Sequence, residues 1–138
     1  MVEEIKAPEV KVDPEFSLEA LFLKGRVYKE YSITPNFKVK FRSLITDESL
    51  EVRNDPEIEI GNRAHSVMIV GIAAAAYAIE ELNGSKFEGA IKDRKDKLKK
   101  LAAPIVEKIM EKHNVFYNEV QDLFPASAED LSKAIQKN

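Results

Sequence analysis

The chain has no cysteine, no tryptophan and only two histidines among its 138 residues. The absence of cysteine excludes a disulfide framework, a thiol nucleophile and a cysteine-ligated metal. Neither histidine has a second histidine one helical turn away or a recurring carboxylate partner, as a zinc motif would require. We therefore expect His65 and His113 to be structural or surface residues, and we expect no metal site.

Glycine is also scarce, with five residues, and none of them belongs to a glycine-rich phosphate-binding loop. Carboxylate pairs such as Glu80 and Glu81 have the pattern of a helix surface, whereas an acid–base pair needs burial and mutual approach. The sequence therefore predicts a protein that is not an enzyme, with no catalytic residue and no cofactor.

No apolar run is long enough for a membrane span. The longest, Val67 to Ile79, has 13 residues, whereas a bilayer needs roughly 20. The first ten residues, MVEEIKAPEV, begin with acids where a secretory signal would carry basic residues. Charged residues make up 33% of the chain and the net charge is −3, so no global attraction to nucleic acid or to acidic membranes is expected. These features predict a cytoplasmic protein with no membrane partner.

The stretch YKEYSITPNFKVKFRSLITDE, residues 28–48, contains the sheet-like pattern of the chain. Positions 37–42 alternate apolar and basic residues, which places the two kinds of side chain on opposite faces of a strand. The apolar residues are Phe37, Val39 and Phe41, and the basic residues are Lys38, Lys40 and Arg42. Pro35 and Asn36 are turn residues, so residues 26–44 are predicted to form a β-hairpin.

Apart from the first 15 residues, the remainder of the chain is predicted to be mainly helical. Ser17 is a candidate N-cap for a short helix that Gly25 would end. Asn83 and Gly84 are expected to end the central helix, Ser85 to Glu88 to open the next with a capping box, and Pro104 to restart it. The predicted longer helices span residues 46–53, 58–82, 86–103, 105–124 and 128–136.

The domain organisation predicted from these patterns is an extended acidic arm, residues 1–15, followed by one α+β domain, residues 16–138. The hairpin packs on four to five helices. The helix over 58–82 is apolar on most faces, which indicates a central helix or one that shares a face with another subunit. The sequence therefore leaves open whether the chain forms a homo-oligomer.

Three surfaces are candidates for binding, and each has a plain structural alternative. The arm is either a solvated tail or a partner-binding strand built around Val10 and Val12. The basic strand face either protects a sheet edge from unwanted pairing or docks another chain. The run KDRKDKLKK, residues 92–100, has six basic and two acidic residues; it is a solvated helix face, a nucleic-acid contact or a site for an acidic protein.

Residues 23–52, LKGRVYKEYSITPNFKVKFRSLITDESLEV, resemble the front of the small tail assembly chaperones of tailed bacteriophages. The resemblance consists of a glycine, a first strand, a turn, a basic strand and an Arg-Ser-Leu-Thr-like segment followed by an acid. The corresponding residues here are Phe41, Arg42, Ser43, Leu44, Thr46 and Glu48, with Ile45 standing between Leu44 and Thr46. Small baseplate or hub-assembly proteins of phages have similar openings.

The resemblance implies a non-catalytic phage protein that acts in the host cytoplasm during virion assembly. Its partners would be other phage tail proteins, namely the tape-measure protein, tail-tube subunits or baseplate proteins. The residues expected to contact them are Lys38, Lys40, Phe41, Arg42, Val10 and Val12. Two alternatives stay open: a structural baseplate or neck component that remains in the virion, and a small nucleic-acid-binding regulator.

Overall fold

The computed structural model describes residues 14–124. Within this range, five helices and four strands follow in the order α1 (Leu18–Lys24), β1 (Tyr28–Thr34), β2 (Phe37–Arg42), α2 (Thr46–Arg53), α3 (Arg63–Ala78), β3 (Ile79–Leu82), β4 (Ser85–Lys86), α4 (Ile91–Lys99) and α5 (Ala103–Gln121). The strands form one antiparallel sheet in the order β1-β2-β3-β4. The α+β class predicted from the sequence is confirmed.

The first helix and the hairpin form where the local sequence indicates. The Ser17 side chain accepts a hydrogen bond from the Ala20 amide, and Gly25 ends α1 in the left-handed conformation that glycine adopts without a steric penalty. Pro35 and Asn36 connect β1 to β2, whose register pairs Tyr28 with Arg42 and Ser32 with Lys38. The predicted hairpin is therefore present.

The prediction of one helix over 58–82 is wrong at both ends. The helix begins at Arg63, after Asn62 accepts a hydrogen bond from the His65 amide, and it ends at Ala78. The next four residues, Ile-Glu-Glu-Leu, form β3 and pair with β2, Val39 lying opposite Leu82. The i, i+3 spacing of Ile79 and Leu82 is that of a helix, so the pairing with β2, and not the local pattern, makes this segment a strand.

The segment after β3 is a second hairpin and not the start of a helix. Asn83 and Gly84 both have positive φ, 49° and 86°, as a tight type I′ hairpin turn requires. Ser85 and Lys86 are β4, so the predicted capping box there is wrong. The predicted helix 86–103 is shortened to α4, which begins only at Ile91.

The last described helix agrees closely with its prediction. Pro104 lies in the first turn of α5, where the missing N–H costs no hydrogen bond. The predicted helix 128–136 and residues 1–13 of the predicted arm lie outside the described residues. Among the residues that are described, no helix combines the length and apolarity needed to cross a bilayer.

The core joins the sheet to the helices through aromatic and aliphatic side chains. Phe41 on β2 and Phe116 on α5 are fully buried and stack with their ring centroids 5.7 Å apart. The helix α3 contributes Ile72 and a run of buried alanines, so most of its apolar stripe is core of this domain. Gly71 lies so close to the end of Met110 that a Cβ there would overlap it, which brings α3 and α5 together.

Candidate functional site

The predicted basic face of β2 exists, but its charges are largely neutralised by neighbouring side chains. Lys40 Nζ lies 3.5 Å from a Glu15 carboxylate oxygen and 3.8 Å from one of Glu81. Arg42 donates through Nε to the Tyr77 carbonyl at 2.9 Å and pairs with Glu80 at 3.3 Å. Because these groups hold the sheet to its neighbours, Lys40 and Arg42 contribute to the fold.

Lys38 is the member of that face most open to a partner. Its side chain is 54% exposed and lies 3.9 Å from the carboxylate of Glu30, which is equally exposed. An ion pair of this kind in solvent is worth about 1 kcal/mol or less. Lys38 can therefore exchange Glu30 for a partner at little cost.

Of the remaining predicted contact residues, Phe41 is described and the two valines of the arm are not. Phe41 has 0% exposure and packs against Phe116 and His113, so a partner cannot reach it in the folded chain. Val10 and Val12 lie outside the described residues. In addition, β2 is paired on both sides, so the sheet edge near the hairpin belongs to β1.

A charged cluster fixes α2 against the sheet. The two guanidinium nitrogens of Arg26 donate to the two Glu48 oxygens at 2.8 and 2.9 Å, and Arg26 also reaches the Ser43 carbonyl at 2.7 Å. Burial alone would raise the pKa of the Glu48 carboxyl, but the hydrogen bonds from Arg26 and the Ile45 amide lower it below its ordinary value. A bidentate pair of this geometry is rigid, so α2 has a defined position.

That position creates a groove between α2 and α5, with a volume of about 350 Å³, which we call the α2–α5 groove. Its apolar lining is Leu44, Ile45, Leu50, Phe116, Tyr117 and Val120, and its polar lining is Ser43, Thr46, Ser49, Arg53, His113 and Gln121. Ile45, Leu50 and Tyr117 are 41%, 50% and 54% exposed. Large apolar side chains that line a concave surface in this way are typical of a binding site for an apolar or helical segment.

His113 lies in the α2–α5 groove, with its ring centroid 5.3 Å from that of Phe41. Burial lowers its pKa to about 4, so the imidazole is neutral at physiological pH. His65, by contrast, is exposed in the first turn of α3. Within residues 14–124 no group of three histidine or carboxylate side chains is arranged to hold a metal ion.

A second cleft, of about 550 Å³, lies on the other side of α2 and contains a buried ion pair. Lys95 Nζ is 2.7 Å from Asp55 Oδ2, and both side chains are nearly inaccessible. Burial would raise the pKa of the Asp55 carboxyl, but the Lys95 ammonium and the Glu57 amide hold it below its ordinary value. Tyr77, in the same cleft, donates its hydroxyl to Glu51, and burial with this bond raises its pKa to about 12. These polar groups of the cleft are hydrogen-bonded to one another. We therefore interpret the cleft as a structural contact between the segment after α2 and α4.

The basic run of residues 92–100 is largely used within the fold. Arg94 is buried, donates to the Ala76 and Ile79 carbonyls and stacks on Phe87. Lys95 pairs with Asp55, Lys97 donates to the Glu88 carbonyl and Lys99 pairs with Glu57. Lys92 and Lys100 remain without a partner among the described residues.

Sequence reasoning did not identify the α2–α5 groove. A weak signal was present: Tyr117 directly follows the core residue Phe116, and Leu50 lies on a short helix that is otherwise charged or polar apart from Val52. Each is an apolar residue beyond those that the core needs. Only the relative placement of two helices that lie 50 residues apart in the sequence shows that they line one groove.

No protein-family model matches the chain, and no curated protein or solved structure shows significant similarity to it.

Proposed function

We propose that this chain is a non-enzymatic assembly protein of a phage tail, which binds a tape-measure, tail-tube or baseplate protein in the host cytoplasm. The observation that carries the proposal is the α2–α5 groove with its exposed apolar side chains. A client helix would place its apolar residues against Leu50 and Tyr117, in the helix-in-groove mode of peptide recognition.

The resemblance to tail assembly chaperones and the groove involve the same part of the chain. Of the six positions that carry the Arg-Ser-Leu-Thr-like pattern, Ser43, Leu44 and Thr46 line the groove. Glu48, which follows them, holds α2 in place through Arg26. Part of the pattern therefore lines the groove or positions the helix beside it, which supports a client-binding role for the groove.

The experiment is co-purification of the tagged chain with tail proteins from producing cells, followed by affinity measurement on the captured client. In Leu50→Asp/Tyr117→Asp two exposed groove residues become charged, so the core is untouched. Because central apolar contacts dominate binding energy, we expect affinity to fall about 100-fold.

A matched control variant is Val67→Asp/Val115→Asp. These valines are 62% and 40% exposed on α3 and α5 and do not line the groove. We expect the control to bind as the parent does. Equal loss in both variants, or full binding by the groove variant, would contradict client binding in the groove.

Of the basic residues on β2, only Lys38 can be tested for partner binding without disturbing the fold. Arg42→Glu would break bonds to Tyr77 and Glu80 and destabilise the fold, so its effect on binding could not be interpreted. Lys38→Glu changes an exposed charge whose ion pair, with the equally exposed Glu30, contributes little to stability. Weaker client binding by this variant, with unchanged unfolding, would add Lys38 to the contact surface.

Mass spectrometry of purified virions separates an assembly factor from a structural component. A chaperone acts before completion and is expected to be missing from mature particles. A fixed copy number in every particle would instead identify the baseplate or neck component.

A further inference from the structure

The α2–α5 groove contains one permanently charged side chain, that of Arg53. Arg53 is the last residue of α2, is exposed, and makes no hydrogen bond or ion pair within residues 14–124. His113, the other basic residue of the lining, is neutral at physiological pH because burial lowers its pKa to about 4. No aspartate or glutamate is among the described residues that line the groove. The groove therefore combines a single positive charge with apolar side chains.

Acidic side chains of both helices are used elsewhere in the fold. On α2, Glu48 binds Arg26, and Glu51 accepts a hydrogen bond from the hydroxyl of Tyr77. On α5, Glu119 binds two side chains of β1. None of these three acids lines the groove. They do not neutralise Arg53, so its charge is available to a partner.

The position of Arg53 on α2 sets the spacing that a partner needs. Arg53 follows Leu50 by three residues and Thr46 by seven, so the three side chains lie on one face of the helix. Neighbours at this spacing have Cβ atoms about 5–6 Å apart. A partner helix that lies along α2 with an apolar residue against Leu50 therefore has a second residue, one helical turn away, beside Arg53.

We propose that the partner of the α2–α5 groove is an amphipathic helix with an aspartate or glutamate one turn away from an apolar residue. The carboxylate pairs with the Arg53 guanidinium, and the apolar residue packs against Leu50 and Tyr117. The inference rests on the function proposed above, because it specifies the partner of the same groove.

The chemistry of the groove favours a carboxylate on a helix over a polyanion. A guanidinium presents a planar set of donors that matches a carboxylate in a bidentate arrangement. Nucleic acid binding, in contrast, depends on several cations that contact successive phosphates. One cation among apolar side chains does not provide such a row, whereas it fits one acid beside apolar residues.

The test uses synthetic peptides as probes and the full-length chain. Two alanine-based helical peptides of about 18 residues, long enough to be helical alone, share one row of leucines. They differ at a single position one turn from a leucine, which is glutamate in one peptide and glutamine in the other, residues of similar helix propensity. Each peptide is made with this position before and after the leucine, because either direction of the partner helix satisfies the spacing. Fluorescence anisotropy measures the affinities at about 0.1 M and about 1 M salt.

We expect the glutamate peptide to bind the parent about fivefold more tightly than the glutamine peptide, as is usual for an ion pair at the rim of an interface. This preference should shrink at the higher salt concentration. Arg53→Gln should bind both peptides alike at either salt concentration, with unchanged unfolding because Arg53 makes no bond within residues 14–124. Leu50→Asp/Tyr117→Asp should bind neither peptide, which places the probes in the groove.

The matched control is Lys100→Gln, which removes the same charge. Lys100 is exposed after α4, has no partner among the described residues and does not line the groove, so this variant should keep the preference for glutamate. The proposal would be overturned by equal affinities in the parent, by equal loss of the preference in both variants, or by no binding of either peptide. A dimer of the chain alone that Arg53→Gln dissociates would assign the groove to a second copy and would also overturn it.

The captured client distinguishes this inference from the proposed function. If a client is captured and both the client and the peptide results are unaffected by Arg53→Gln, the acidic partner is rejected while the assembly function stands. If the peptides show the preference for glutamate and no client appears in the pull-down, the recognition chemistry stands and the assembly function is rejected.

Discussion

His113 is the side chain whose protonation the fold opposes most clearly. Its pKa is lowered to about 4 by burial against Phe41 and Phe116, whereas an unfolded chain has a histidine pKa of about 6.5. The folded state therefore binds fewer protons than the unfolded state between these values. Stability contributed by this group is complete above pH 6.5 and is lost as the pH falls towards 4.

The first prediction is that His113→Gln removes this loss. The parent's free energy of unfolding should fall between pH 6.5 and 4.5 by at most about 1.4 kcal/mol per pH unit, and the variant should be flat there. Urea unfolding at several pH values measures it. The carboxyls of Glu48 and Asp55, whose pKa values are lowered, lose their contribution only below about pH 4.

His65→Gln is the control for this prediction, because His65 is exposed on α3 and its replacement should leave the slope unchanged. A slope that persists in His113→Gln would show that another group is responsible.

The sequence around Phe41 is compatible with two roles, a partner contact or a core residue. The place of Phe41 in a basic strand suggested a contact with a partner, but strand alternation also directs it away from the lysines and into the core. The structure shows the second outcome, with no exposed surface and three neighbouring rings. A partner-binding role for Phe41 is therefore excluded as long as the chain is folded.

At the scale of elements, the Asp55–Lys95 pair connects the segment after α2 to α4. Both side chains are almost fully buried, so the charge of either is costly without the other. We predict that Lys95→Met lowers the free energy of unfolding by about 3 kcal/mol. Asp55→Asn in the Lys95→Met background should recover part of the loss, because no charge is then left buried.

The control is Lys99→Met, since Lys99 pairs with Glu57 where both are considerably exposed. Exposed pairs are worth about 1 kcal/mol or less, so this variant should be nearly as stable as the parent. Denaturant unfolding of the four proteins gives the comparison. Equal losses in Lys95→Met and Lys99→Met would contradict the importance of burial.

The position at which α3 ends and β3 begins depends on contacts with two other elements, α4 and β2. Arg94 on α4 donates to the Ala76 and Ile79 carbonyls, which the helix leaves without a partner as it ends. At the same time the backbone of β2 offers hydrogen bonds to Ile79 and Leu82. Neither influence is present in residues 58–82 themselves, which is why their periodicity predicted a longer helix.

For the whole molecule, one continuous core determines the unfolding behaviour. Buried residues of α1, the sheet, α3, α4 and α5 belong to a single cluster, and no second core is present within the described residues. Hydrogen exchange should therefore give the same opening free energy for the Val39 and Ile109 amides. A difference greater than about 1 kcal/mol between β2 and α5 would show that sheet and helices open separately.

The local sequence determined those helix and strand boundaries that depend on capping, turn or alternation patterns within a few residues. The Ser17 and Gly25 caps, the alternation of residues 37–42, the start of α2 at Thr46 and the placement of Pro104 in the first turn of α5 are examples. Each depends on backbone preference or on hydrogen bonds to near neighbours, so each can be read without the rest of the chain. The α+β class followed from them.

Only the tertiary structure decided which surfaces are available. In the folded chain Phe41 is buried, and Arg42, Arg94 and Lys95 bind groups of the same domain. Residues 79–82, which the sequence predicted as the end of a helix, form a strand that pairs with β2. The tertiary structure also formed the α2–α5 groove from Leu50 and Tyr117, which are separated by more than 60 residues. Charge pairing, burial and concavity are properties of groups that meet in space, and the spacing of residues along a chain does not contain them.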